Sequence, residues 1–180
     1  VVAAASGEIV ATVDREGKLG KMAWSPDGEQ LALISAADLS DPSASTLMVA
    51  PVTGGPPRIL GRGFEGSISD LAWVDDSVLI ALADVGVRTE LFRVTAAGGP
   101  LNPLGRIDDG VVYTSMSVAA DGRVGALIGS TPTHPREVFF LDLESSTAPR
   151  RLTEANPWLD ELRFADQEVV RFQARDGLEL

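Results

Sequence analysis

The sequence predicts an all-β protein built from β-propeller blades. The first observation is composition, because 18 Gly and 11 Pro among 180 residues indicate many turns and few long helices. The second is an internal repeat at residues 22–34, 71–82 and 116–128. Each copy reads as a short apolar strand, a tight turn carrying Asp and a second apolar strand. The copies start 49 and 45 residues apart.

A second repeated element follows each of these hairpins. Its copies lie at residues 47–56, 91–100 and 138–143. Short closing strands follow at residues 58–60, 101–104 and 150–153. A repeat of about 45 residues with four short strands is typical of a propeller blade. The dipeptides Asp27-Gly28 and Asp121-Gly122 also suit the positive φ of two-residue hairpin turns.

The repeats define the predicted domain organisation. Residues 1–15 are the end of a preceding blade, residues 16–62, 63–106 and 107–154 are blades, and residues 155–180 are the propeller exit and linker. Strand-like runs are expected at residues 7–13, 161–164 and 168–172. Propellers close with about four to eight blades, and a bare apolar face at each end would cost on the order of 10 kcal/mol. We therefore expect further chain, or a second copy, to cover the ends.

Composition and charge exclude several classes of function. The 26 acidic and 15 basic residues give a net charge of −11, which disfavours binding to nucleic acid or to an anionic membrane. There is no cysteine, so disulfides and thiolate metal sites are excluded. No apolar run approaches the ~20 residues of a membrane-spanning helix, and residues 1–5 lack the basic start of a secretory signal. These features predict a cytoplasmic protein without a cofactor or a metal.

Two regions carry a resemblance to known families. Residues 24–28, WSPDG, resemble the repeat shared by TolB-type propellers and by propellers of the prolyl oligopeptidase family. Residues 151–159 and 168–180 resemble the propeller exit of acylaminoacyl-peptidase-like members of that family. In those members an LT motif ends the last blade, and an F-x-(S/A)-x-D-G motif opens an α/β-hydrolase domain. Residues 131–138 resemble the usual last-blade hairpin.

This resemblance implies a function for the parent protein. The chain would hold the later blades of a seven-bladed propeller, continuing into the α/β-hydrolase domain of a serine peptidase. The implied activity is hydrolysis of short peptides, of the acylaminoacyl, oligopeptidase or dipeptidyl type, with the propeller gating access. The implied partners are the hydrolase domain, the remaining blades and short peptides, in a homo-oligomer. The alternative is a TolB-type, non-enzymatic, protein-binding propeller; a lectin or glycosidase propeller is a weaker third.

The chain itself shows no catalytic triad. A Ser-His-Asp site needs a histidine base, and the single histidine, His134, lies between Thr133 and Pro135 in a turn. His134 is a base or ligand in one interpretation and a solvated loop residue in the favoured one. The Gly66-Ser67 pair lacks the G-x-S-x-G spacing of a nucleophile elbow. We therefore predict no catalytic residue; under the resemblance, the triad belongs to the hydrolase domain.

Acidic pairs occur at Asp75-Asp76 and Asp108-Asp109. Paired carboxylates can bind Ca²⁺ or act in a glycosidase. Both pairs precede strands and lack calcium-loop spacing, so hydrated turns are the expected role.

The three tryptophans fall into two groups. Trp24 and Trp73 occupy the same repeat position, which predicts packing between blades rather than sugar stacking. Trp158 lies outside the repeat, beside Asn156, and either packs at an interface or is buried in its loop. Under the resemblance, Asn156, Trp158 and Arg163 are the expected contacts with the hydrolase domain.

Overall fold

The computed structural model describes residues 1–40, 42–105, 110–145 and 147–180. The predicted acidic pair Asp108-Asp109 lies outside these residues. Within them the chain forms three four-stranded antiparallel sheets, each made of four consecutive strands, which confirms the predicted all-β class. We call the sheets blades 1, 2 and 3.

The twelve strands follow the chain in simple up-and-down order. Blade 1 contains β1 (Leu19–Trp24), β2 (Gln30–Ala36), β3 (Ser45–Pro51) and β4 (Arg58–Ile59). Blade 2 contains β5 (Ser67–Trp73), β6 (Val78–Val85), β7 (Arg88–Thr95) and β8 (Asn102–Pro103). Blade 3 contains β9 (Val112–Val118), β10 (Val124–Thr131), β11 (His134–Asp142) and β12 (Arg150–Arg151).

The blades pack face to face, and strand β6 shows why its sequence is apolar throughout. Leu79 and Ala81 belong to the core shared with blade 1, whereas Ile80 and Leu82 belong to the core shared with blade 3. Successive strand residues point to opposite faces. A strand buried on both faces therefore lacks polar alternation.

A glycine in the β9–β10 turn allows this turn to lie close to the β5–β6 turn of blade 2. Gly122 has a φ of +70°, and a Cβ there would lie 2.6 Å from the carbonyl oxygen of Val74. Any other residue would collide with the backbone of blade 2. The β9–β10 turn therefore needs glycine both for its conformation and for blade packing.

The carboxylate of Asp70 links all three blades near their innermost strands. Asp70 is 5% exposed, and its Oδ1 accepts from Nζ of Lys21 on β1 at 2.5 Å and from the N–H of Leu71 at 2.7 Å. Its Oδ2 accepts from the N–H of Met116 on β9 at 2.7 Å. One side chain thus fixes β1, β5 and β9 relative to one another.

At each of the two interfaces between blades, an arginine side chain donates a hydrogen bond to a backbone carbonyl of the next blade. Nη1 of Arg58 in blade 1 donates to the carbonyl of Ala96 in blade 2 at 3.1 Å. Nη2 of Arg93 in blade 2 donates to the carbonyl of Leu143 in blade 3, also at 3.1 Å. Ala96 and Leu143 occupy equivalent repeat positions just after β7 and β11, so the two interfaces use equivalent acceptors, although Arg58 donates from β4 and Arg93 from β7.

The prediction for the repeat tryptophans is correct for one and wrong for the other. Trp73 is 9% exposed, packs in the core between blades 1 and 2 and donates from Nε1 to the carbonyl of Ala23 at 3.0 Å. Trp24 is 52% exposed. The side of β1 that carries Trp24 faces away from blade 2, and no described residue supplies the sheet that Trp73 finds on blade 1.

The segment before β1 covers part of blade 1 without joining it. The predicted strand at residues 7–13 is wrong, since the only strand pairing that the described residues form there is an isolated bridge between Val2 and Ile9. Val13 packs on the buried Leu33 and Met48, and Nη2 of Arg15 donates to the carbonyl of Ala36 at 2.7 Å. Side chains therefore hold this segment in place of a strand ladder.

Removing the Asp70 carboxylate should destabilise the fold more than removing its lysine partner. Asp70→Ala leaves two buried N–H groups without an acceptor, a loss of about 3 kcal/mol in the free energy of unfolding. Lys21→Ala removes a partly exposed cation, a loss of about 1 kcal/mol. Urea unfolding of the two variants measures the difference, with the exposed Asp84→Asn as the control. Equal losses for Asp70→Ala and Lys21→Ala would contradict the acceptor role.

The two repeat tryptophans should differ in the same measurement. Trp73→Phe loses a buried hydrogen bond and some packing, about 1–2 kcal/mol of stability. Trp24→Phe in this chain should change stability by less than about 0.5 kcal/mol. A loss at Trp24 as large as that at Trp73 would show that Trp24 is covered in solution.

Candidate functional site

Three hairpin connections and the chain that leaves blade 3 lie at the same end of the three sheets. Because neighbouring strands are antiparallel, the β2–β3, β6–β7 and β10–β11 connections emerge on the same side, and β12 also ends there. We call this side the exit face, and residues 155–180, which leave blade 3 there, the exit segment. The β1–β2, β5–β6 and β9–β10 turns lie on the opposite side, the turn face.

Glu137 fixes the beginning of the exit segment. This glutamate of β11 is 2% exposed. Its carboxylate accepts from the Thr153 hydroxyl, from the N–H of Ala155 at 2.8 Å and from Nη2 of Arg151 at 3.3 Å. The Thr153 hydroxyl, followed by the Ala155 N–H and then the Arg151 guanidinium, lowers the pKa of Glu137 below its ordinary value. Sequence reasoning missed Glu137, although its partners surround the LT motif at residues 152–153.

The three residues predicted to contact the hydrolase domain come directly after this anchor in the chain. Asn156 precedes a single 3₁₀ turn, Pro157–Glu161, and its carbonyl accepts from the N–H of Leu159 at 3.1 Å. Trp158 lies in this turn and is 57% exposed, so it is not buried in its own loop. Arg163 lies just after the turn and is exposed. Asn156 and Trp158 thus share one turn, with Arg163 close behind in the chain, and their interface role stays a prediction.

The predicted strands at residues 161–164 and 168–172 are wrong. Among the described residues neither run pairs with a blade, and the pairing in this region is an isolated bridge between Gln173 and Glu179. Phe172 and Leu180 exchange backbone hydrogen bonds at 2.9 and 3.0 Å around it. Strand-like composition was not sufficient because neither run is paired with a sheet edge.

Large apolar side chains of the exit segment face solvent. Those exposed are Trp158, Leu162, Phe164, Val169, Val170, Phe172, Leu178 and Leu180. Val87, at the tip of the β6–β7 hairpin on the same face, is exposed as well. A run of exposed apolar side chains along one segment is the kind of surface that another protein surface can cover.

A groove of about 330 Å³ separates the β10–β11 hairpin from the exit segment. It is lined by residues 130–135 together with Leu159 and Phe164. His134 lies here; its N–H donates to Oγ1 of Thr131 at 3.2 Å and its Nδ1 lies 2.8 Å from the carbonyl oxygen of Pro135. Both contacts stay within the hairpin. His134 is half-buried and is the first residue of β11, so the expected solvated loop position is not the one that the structure shows.

A larger cavity, about 680 Å³, lies between the β6–β7 hairpin and the exit segment. It is lined by Val85, Gly86, Val87 and Arg88 from blade 2 and by Val169 and Arg171 from the exit segment. Nη1 of Arg171 also pairs with Oε1 of Glu179 at 3.1 Å. Nothing in the sequence pattern connects Arg88 with Arg171, because only the return of the exit segment towards blade 2 brings them to one cavity.

The acidic residues of the turn face are used within the fold. Oδ1 of Asp75 accepts from the N–H groups of Ser77 at 2.7 Å and Val78 at 2.9 Å, and the Ser77 N–H is the main cause of its lowered pKa. Oδ1 of Asp76 accepts from the N–H of Asp27 in the neighbouring blade at 2.8 Å. Within the described parts of the chain, no three His, Asp or Glu residues are placed to hold a metal ion.

The described residues contain no helix with the length and apolar character needed to cross a bilayer.

Stacked four-stranded blades with inner strands linked at Asp70 define the class of this chain: it is made of β-propeller blades. No protein-family model matches the sequence, and no curated protein sequence matches it. Solved structures do match its fold.

Three solved structures illustrate the likeness. A TolB protein from Agrobacterium tumefaciens matches over 73% of this chain and 45% of its own, with 17% identity and a TM-score of 0.59. The isopeptidase AtxE2 matches over 94% of this chain and 24% of its own, with 19% identity and a TM-score of 0.64. The β-propeller domain of the trilobed protease from Pyrococcus furiosus matches over 72% and 38%, with 16% identity and a TM-score of 0.51.

These likenesses confirm the predicted propeller fold and, at such identities, show the fold alone. The chain spans less than half the length of each of the three structures. Both a TolB protein and propellers of peptidases are among them, so the fold is common to the two predicted functions.

The anchoring of the exit segment should depend on pH. Because the pKa of Glu137 is lowered from 4.5, its stabilisation is complete above that pH and is lost as the pH falls through the folded-state value. Glu137→Gln should therefore lower the urea midpoint at pH 7, and its difference from the unmodified protein should shrink below about pH 4.5.

The exposed, ion-paired Glu144 provides the control for this experiment, because Glu144→Gln should change the midpoint little at pH 7. A Glu137→Gln difference that stays constant down to pH 3 would contradict the assigned role of the carboxylate.

Proposed function

We propose that this chain is the non-catalytic propeller portion of a serine peptidase that hydrolyses short peptides. In this proposal the propeller gates access to an α/β-hydrolase domain that follows residues 155–180. The observation that carries it is the exit segment itself, which Glu137 anchors on one face and which presents exposed apolar side chains there.

The exposed apolar surface supports a domain partner on the exit face. Single exposed apolar residues are ordinary, whereas a run of them along one segment is costly unless another surface covers it. Asn156, Trp158 and Arg163 are the proposed contacts with the hydrolase domain. Trp158 supplies a large apolar side chain of the kind enriched at interfaces, and Arg163 supplies a cation close behind it.

The chemistry is assigned to the partner domain. A nucleophilic serine activated by histidine forms an acyl-enzyme that water then resolves, and the chain contains no G-x-S-x-G sequence to supply that serine. The proposed contribution of the propeller is selection by size, since a folded protein cannot pass a lid that admits an extended peptide. The acylaminoacyl, oligopeptidase and dipeptidyl types of substrate all fit this proposal.

The remaining parts of the proposal concern assembly and location. The exposed Trp24 side of blade 1 supports packing of a further blade there, in the way that Trp73 packs on blade 1. We retain the proposed segments 1–15, 16–62, 63–106, 107–154 and 155–180. We also propose a homo-oligomer of the full protein and a cytoplasmic location, the latter supported by the absence of cysteine.

The second candidate is a TolB-type, non-enzymatic propeller that binds another protein. The same exposed apolar side chains favour it, because they could be covered by a separate chain instead of a linked domain. The two functions differ in whether a reactive serine is joined to this polypeptide.

A serine-directed probe distinguishes the two functions. We expect a fluorophosphonate to label one serine of the full-length protein, outside residues 1–180, and to abolish its hydrolysis of acetyl-alanine p-nitroanilide or Ala-Ala p-nitroanilide. Residues 1–180 alone should show neither labelling nor turnover. Turnover by residues 1–180 alone would contradict the proposal, and an unlabelled full-length protein would favour the scaffold.

A further inference from the structure

We infer that a pocket between blades 1 and 2 binds a single apolar aromatic ring. The pocket has a volume of about 210 Å³ and lies beside the connection between β4 and β5. Its lining also includes the beginnings of β3 and β5, which are the exit-face ends of these strands. The inference goes beyond the proposed function, because it applies to a peptidase propeller and to a protein-binding propeller alike.

The inner wall of the pocket is apolar and continuous with the core of the protein. Leu47 of β3, Leu60 just after β4 and Ile68 of β5 line it, and all three are buried in the core that blades 1 and 2 share. Phe64 and Leu101 line it as well and pack against the same core. Because protein cores are close-packed, the packing of the two blades fixes the shape of this wall.

Neighbouring groups hold the ring of Phe64 in place. It meets the ring of the buried Phe92 edge to face, with centroids 5.0 Å apart and an angle of 74° between the planes. A Cβ on Gly66 would lie 2.7 Å from the Phe64 ring and 2.8 Å from the carbonyl oxygen of Asp84. Only glycine fits there, so the connection packs closely on blade 2. Phe64 therefore offers a fixed aromatic wall to a second ring.

The polar groups that the start of β3 contributes are already hydrogen-bonded within the fold. The N–H of Ser45 donates to Oγ of Ser67 at 3.1 Å. The hydroxyl of Thr46 donates to the carbonyl of Ser35, also at 3.1 Å. A polar ligand would lose its hydrogen bonds to water on entry and find these groups occupied. The pocket therefore favours an apolar ligand.

The volume favours one ring rather than a larger molecule. An apolar cavity of about 150 Å³ lined by Leu, Ile and Phe binds benzene, whereas sites for larger ligands span about 300–1,000 Å³. At about 210 Å³, this pocket holds one ring with a short substituent. The exposed Arg62 and Gly63 form its solvent side. Because glycine has no side chain, a ring can enter there while the rest of its molecule stays in water.

The test is a titration of the 180-residue protein with benzene, followed by the NMR signals of its leucine and isoleucine methyl groups. The signals of Leu47, Leu60, Ile68 and Leu101 should shift and saturate, because a bound ring changes the magnetic field at nearby protons. The signals of Leu127, in the core shared by blades 2 and 3, should not move. Pyrimidine, a polar ring of the same size, should bind at least about tenfold more weakly.

Two variants with matched controls locate the binding site. Ser45 lies on the same side of β3 as Leu47, so Ser45→Phe should place a ring in the pocket and abolish benzene binding. Ser117→Phe makes the same change at an exposed position of blade 3 and should leave binding unchanged. Phe64→Leu should weaken binding about fivefold, and Phe140→Leu, in blade 3, should have no effect.

The absence of benzene binding, or equal affinities for benzene and pyrimidine, would overturn the inference. So would unchanged benzene binding in Ser45→Phe or in Phe64→Leu. Acetyl-phenylalanine amide identifies the source of the ring. If it moves the same methyl signals, the ring can belong to a peptide, and if benzene alone does so, the ligand is a free small molecule. The measurement involves neither serine labelling nor turnover, so its failure is distinct from a failure of the proposed function.

Discussion

The hydrogen bonds of Asp70 decide how the three blades stand relative to one another. Apolar packing between sheets is strong but non-directional, so it alone would tolerate small slides of one blade along the next. A buried carboxylate does not tolerate them, because each oxygen needs its donors at hydrogen-bond distance. Lys21 and the N–H of Met116, from the blades on either side, can meet those needs in one relative position of the blades.

The same constraint explains what the sequence could and could not predict. The hairpins and the doubly buried strand β6 follow from local patterns of apolar and turn residues, and the structure contains them. The partners of Asp70 lie 49 and 46 residues away, and no local pattern indicates them. The repeat predicts a packed Trp24 because Trp24 matches Trp73, but repetition gives the position of a residue and not whether a neighbouring blade covers it.

The exit segment shows the same limit at the other end of the chain. Residues 161–164 and 168–172 have strand-like composition, but a strand also needs an edge to pair with, which composition does not reveal. The anchor at Glu137 was equally hidden, since a glutamate in a strand normally reads as a solvent-facing residue. Burial made it an acceptor for the departing chain, and that anchoring allows the segment to return towards blade 2.

The exit face and the turn face differ in how fully their polar groups are hydrogen-bonded within the fold. On the turn face, Asp27, Asp75 and Asp76 are engaged in holding turns and neighbouring blades in place. On the exit face, Arg171 pairs with the exposed Glu179 beside an open cavity, and large apolar side chains remain in water. Groups already satisfied within the fold gain little from a ligand, whereas exposed apolar and weakly paired charged groups gain much. Recognition by this propeller is therefore expected on the exit face.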